Sequence, residues 1–125
     1  MDVPAVKEIG MSKKQSKGSV EVLLSKAVGL AALVNYQVGA VVSKTVIAKK
    51  AGTVTVFAFD RGQGLSTHSA PFDALVQILD GEARITIAGK GMNVKKGEMI
   101  IMPADKPHAL KANKRFKMML VMVKS

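Results

Sequence analysis

From Val38 to Val123 this chain is a succession of short apolar segments, each closed by a turn signal, and that punctuation leaves little room for anything but β-structure. Residues 38–48 and 53–60 are rich in β-branched side chains and are separated by Lys49-Lys50-Ala51-Gly52. In the second run Thr53, Thr55, Phe57 and Phe59 share one face while Val54, Val56 and Ala58 share the other, which predicts a strand buried on both sides. Further strands are expected at 74–79, 82–88, 92–94, 99–102, 108–111 and 116–123. Asp80-Gly81 predicts a type I′ hairpin turn, because both central residues of that turn need positive φ. Gly89-Lys90-Gly91 and Lys96-Gly97 predict two more turns, and Pro103 ends its strand by removing a ladder donor. Ahead of the strands, residues 29–36 suit a short helix or helical turn. Residues 1–20 are polar and lysine-rich without periodicity, which predicts a flexible N-terminal arm on a single domain at 21–125.

Composition narrows the functional classes. With 125 residues there is enough chain for one core. No apolar run reaches the ~18 residues of a membrane helix. Lys13, Lys14 and Lys17 before an apolar stretch imitate a secretory leader, but Glu21 and Lys26 break that stretch, so a cytoplasmic address is expected. The absence of cysteine excludes disulfides and thiolate metal sites. The net charge of +10 would attract anions, with a local concentration at Lys106, Lys111, Lys114, Arg115, Lys117 and Lys124. Nucleic-acid modules usually interleave stacking aromatics with such residues; only Phe116 lies here and Trp is absent, which argues against nucleic acid as the partner.

The two histidines of the chain each sit in a spaced glycine and proline framework. The first is Gly62-Gln-Gly-Leu-Ser-Thr-His68-Ser-Ala70-Pro-Phe-Asp73-Ala74, closing at Gly81. The second is Gly97-Glu-Met-Ile-Ile-Met-Pro103-Ala-Asp105-Lys-Pro-His108-Ala-Leu-Lys-Ala112. Together these resemble the two motifs of the cupin superfamily, across residues 62–112. The resemblance implies an all-β fold: a single cupin-type antiparallel β-barrel (a double-stranded β-helix or jelly roll) of six to eight strands, commonly a homodimer. It also implies a four-ligand metal shell, and here the second histidine of the first motif is Ala70 and its glutamate is Ala74. In the second motif Asp105 stands for a glycine and Ala112 for an asparagine.

On this pattern His68 and His108 point into the barrel mouth, and three readings remain open. They hold a divalent transition metal (Fe, Mn, Ni or Zn) with Asp73 and water; they line a metal-free pocket; or each is structural. Phe72, Gln77 and Met102 are the other expected pocket residues, Gln77 because a buried amide requires a partner. The six methionines of the second half suit an apolar, adaptable lining. The expected function is binding of a small molecule in an apolar barrel pocket with a degenerate metal site. The alternatives are a metal-dependent oxygenase or isomerase acting on a small organic substrate, and an interaction module whose basic surface takes an anionic partner. No serine or cysteine nucleophile arrangement accompanies either histidine.

Overall fold

The computed structural model describes residues 23–124, so the expected N-terminal arm lies outside the described residues. A 3-10 turn at Leu30–Leu33 precedes eight strands: β1 (Val41–Lys49), β2 (Gly52–Phe59), β3 (Gly64–His68), β4 (Asp73–Ile87), β5 (Lys90–Lys95), β6 (Met99–Met102), β7 (His108–Lys111) and β8 (Phe116–Val123). All pairings are antiparallel. The hydrogen-bonded order is β1-β2-β8-β4-β7-β3, with β5 and β6 also on β4. The result is a single antiparallel sheet curled around its own core, the barrel wall expected from the motifs.

The core lies on the concave side. Phe57, Phe59 and Phe116 are fully buried, and the rings of Phe59 and Phe116 stack at 4.5 Å between centroids. The two-sided burial expected of residues 53–60 holds over Thr55–Phe59, every residue of which is buried. On the convex side that burial comes partly from the segment carrying Val34 and Tyr36. Val34 is 3% exposed. The Tyr36 hydroxyl donates to Asp80 Oδ2 at 2.5 Å, and Lys117 Nζ donates to the Ala31 carbonyl at 2.8 Å. Burial, reinforced by the Asp80 hydrogen bond, raises the Tyr36 pKa above its ordinary value.

Asp80-Gly81 is no hairpin: β4 runs straight through it as one fifteen-residue strand. Its first half pairs β6 and β8, and its second half pairs β5 and β7. The ladder to β8 shifts register between Ile78 and Asp80, so Leu79 is the extra residue of a bulge directly ahead of the dipeptide, which itself pairs with Lys117 and Phe116. Gly81 has φ +73°, and its carbonyl accepts from the Lys96 N–H at 3.0 Å. The bulge bends β4 from one half of the wall into the other.

The two-residue hairpin of this region is instead Ala88-Gly89, closed by the pair Ile87 and Lys90. Both residues have positive φ, +50° and +83°, which is the type I′ signature. Alanine is poorly suited to that conformation, at a cost of about 1–2 kcal/mol. Ala88→Asn is therefore expected to stabilise the protein by about 1 kcal/mol, raising Tm by roughly 4–8 °C in a thermal melt. An unchanged or lower Tm would remove the left-handed assignment at Ala88.

Candidate functional site

His68 ends β3 and His108 begins β7, and the two are cross-strand partners. Their imidazoles meet edge to face at 4.5 Å between centroids. What aligns them is a bulge. Leu65 pairs with Leu110, both buried, yet two residues separate Leu65 from His68 and only one separates Leu110 from His108. Ser66-Thr67 opposite the single residue Ala109 supplies the extra position. Without it the period of two would turn His68 to the outer face.

Both rings are fixed by the same local device. His68 Nδ1 lies 2.7 Å from the Ser66 carbonyl, and His108 Nδ1 lies 3.1 Å from the Lys106 carbonyl. A carbonyl oxygen can only accept, so each bond requires Nδ1–H and leaves a bare Nε2 on the neutral ring. Each acceptor sits two residues before its histidine. Because it is backbone, no side chain in the sequence signals it.

The rings differ in exposure. His108 is 6% exposed, whereas His68 is half-buried. Burial, and then the charge of His68, push the His108 pKa below its ordinary value; the Lys106 hydrogen bond opposes this only partly. The consequence for stability has a definite sign. The unfolded chain takes up this proton near pH 6.5 and the folded chain takes it up at lower pH. The contribution of His108 is therefore complete above that value and is lost as pH falls through it, levelling off below the folded pKa. Tm is expected to fall on acidification from pH 7 to pH 5, less steeply in His108→Gln. His68→Ala is expected to move the His108 titration, read by NMR, back upward. A His108 that titrates at or above its ordinary value would contradict its burial.

The other expected site residues divide. Met102 is 3% exposed on β6, paired with Ala74, itself 7% exposed and flanked on its other side by Met122 of β8. Phe72 is half-buried where β3 turns into β4, with Lys124 Nζ 5.9 Å from its ring centroid. Gln77 is not brought to this side. Ala74, Val76 and Ile78 face the core, so Gln77 lies on the opposite face of β4 with Leu75 and Leu79. Asp73 is exposed, and its Oδ1 accepts from the Ala104 N–H at 2.8 Å, which caps the loop ahead of β7. In that loop Asp105 has φ +66°, the conformation a glycine in its place would favour and one that aspartate tolerates better than most residues. The motif glycines Gly62, Gly81 and Gly97 share it, with φ of +88°, +73° and +87°.

A metal fits this donor set poorly. Among the described residues no group of three or more His, Cys, Asp or Glu side chains is placed to hold an ion. The second-motif histidine and one first-motif histidine are present and suitably oriented by their carbonyls, but Ala70 and Ala74 offer no donor atom. The pair does offer two Nε2 atoms that the Nδ1 hydrogen bonds leave uncommitted. Among the described residues, no helix is long and apolar enough to cross a membrane.

Comparison with known proteins agrees with this geometry. A profile of the cupin domain matches residues 55–124. A conserved Streptococcus pyogenes protein of unknown function is 40% identical, with a TM-score of 0.77 over 81% of this chain and 89% of that one. A cupin 2 conserved barrel domain protein from Leptotrichia buccalis is 46% identical, with a TM-score of 0.74 over 75% of this chain; the match spans 46% of that longer protein. A cupin superfamily protein from Desulfitobacterium hafniense is 27% identical, with a TM-score of 0.77 over 81% of this chain and 93% of that one. No match was found among curated proteins. A domain profile over more than half of the chain, a 40%-identical relative of matching length, and the paired histidines at the two motif positions establish that the chain belongs to the cupin superfamily.

Proposed function

We propose that this cupin binds a small, largely apolar organic molecule at the His68–His108 pair, without a resident four-ligand metal. The observation that carries the reading is the pair itself: two imidazoles in contact, each with Nδ1 committed to a carbonyl and with no carboxylate or third imidazole beside them among the described residues. With His108 held neutral, its Nε2 is an acceptor, so the complementary ligand presents a hydroxyl or N–H donor on an apolar body. Met102, buried on the same side of the wall, suits an adaptable lining. Phe72 stands at the β3–β4 connection.

A second reading has its own support. Histidines that bind metal usually donate Nδ1–H to a carbonyl, as both do here, so a loosely held divalent ion completed by water or substrate, on a metal-dependent enzyme, is the competing function. Ligand-observed NMR with a panel of small alcohols, amides and hydroxy acids separates the two, alongside elemental mass spectrometry of tag-free protein. Hits that vanish in the His68→Ala, His108→Ala double variant, from protein free of metal, are the expected result. Hits unchanged in that variant remove the pocket; stoichiometric metal lost in His68→Ala replaces it with the metal reading.

The homodimer belongs to the same proposal. Met99 and Ile101 are 49% and 52% exposed on the convex face of β6, a surface suited to a second copy. Light scattering on the purified protein tests it; a monomer at micromolar concentration overturns it.

A further inference from the structure

On the convex face of the wall, Arg84 of β4 and Lys111 of β7 are direct cross-strand partners. Their Cα atoms are therefore about 5 Å apart, and like charges placed so repel. Neither has an acidic partner: among the described residues the one ion pair joins Arg115 to Asp60. Between them opens a depression of about 470 Å³, within the size range of small-molecule sites. Its floor is kept low by Gly64, which pairs with Lys111, and by Ala109, which pairs with Thr86. Hydroxyl and amide donors of Ser66, Thr67 and Gln63 edge it, and none of the residues lining it is acidic.

Arg84 is also held in place rather than waving in solvent. Its Nη1 donates to Asn93 Oδ1 at 3.2 Å. Its guanidinium lies over Gly91 so closely that a Cβ there would come within 2.6 Å of Nη2. A planar fork, a second cation one strand away, hydroxyl donors and no carboxylate make up the recognition chemistry of a phosphate group. A single carboxylate would neutralise only one of the two cations.

We propose that this depression is an oxyanion site that takes the phosphate group of a small phosphorylated ligand. It is distinct from the histidine pair. Lys111 and Ala109 alternate with Leu110 and His108 along β7, so the two sites lie on opposite faces of the same strand.

Titration of the ¹⁵N-labelled protein with inorganic phosphate and with pyrophosphate, against chloride at matched ionic strength, tests the site. Saturable shifts are expected at the amides of Gly64, Ser66, Thr86 and Lys111, tighter for pyrophosphate. Arg84→Gln and Lys111→Gln are each expected to weaken binding roughly tenfold, the loss of one charge-assisted contact. Gly91→Ala is the sharper variant. It preserves every charge and meets only the far end of a flexible side chain, so the fold survives while the guanidinium is displaced; a comparable weakening is expected. Shifts that chloride reproduces, or pyrophosphate affinity unchanged in both Arg84→Gln and Gly91→Ala, would overturn the proposal. Either variant is read only where its spectrum shows the native fold.

Discussion

Gly81→Ala is expected to destabilise the protein by about 3 kcal/mol or more, lowering Tm by roughly 10–20 °C and leaving much of the expressed chain insoluble. Two costs add. The first is conformational: φ at Gly81 is +73°, and an L-residue held there loses about 1–2 kcal/mol. The second is a collision, since a Cβ at this position would overlap the backbone carbonyl oxygen of Arg115. That atom belongs to the residue just before β8, whose first residue Phe116 pairs with Gly81, and as backbone it cannot swing away as a side chain would. Gly89→Ala separates the two costs. Gly89 has φ +83° with open space where the Cβ would go, so its alanine variant should lose only about 1 kcal/mol. Thermal melts of both variants decide the matter. Equal losses would mean that β4 does not press against β8 at the bulge.

The same position shows where sequence reasoning stops. Asp-Gly supplies cheap positive φ, which a type I′ turn asks for at both residues and the strand beside the Leu79 bulge takes at Gly81 alone. The apolar pattern does not separate them. In a two-residue hairpin Ile78 would face Ala83 on one side of the sheet, and in the observed strand both are likewise buried on the core side. The choice is made by partners distant in the chain: β8 and β6 on the first half of β4, β7 and β5 on the second. The hairpin at Ala88-Gly89 was legible only as a turn displaced toward Gly89-Lys90-Gly91, because alanine carries no signal for the left-handed conformation that the pair Ile87 and Lys90 imposes on it.

The site divides along similar lines. The framework positions placed His68 and His108 together, and glycine spacing was informative because Gly62, Gly81 and Gly97 all need positive φ. The bulge at Ser66-Thr67 and the two carbonyls that orient the rings were not legible. Each is a backbone feature created by the pairing of β3 with β7. Gln77 was expected in the pocket because an amide buried in an apolar run requires a partner. Leu75 and Leu79 do share its face, but that face is the convex one.

The second large effect concerns the two alanines. Ala70→His with Ala74→Glu restores the donor types that the first cupin motif pairs with His68 and His108, so the double variant is expected to acquire near-stoichiometric divalent metal in elemental mass spectrometry. The change should also write itself into stability. Ala74 is 7% exposed between Met102 and Met122, so an added carboxylate without a cation is desolvated among thioethers, and the metal-free variant should melt below the parent. Metal at about one hundred times its dissociation constant returns about 2.7 kcal/mol, a rise in Tm of about 10 °C or more. The parent, with two donors, should show little of that rise. A double variant that melts identically in chelator and in excess zinc or manganese would mean that positions 70 and 74 do not face the histidine pair. A parent that responds as strongly as the variant would mean that two imidazoles and solvent already suffice, and the competing metal reading of the natural protein would take precedence.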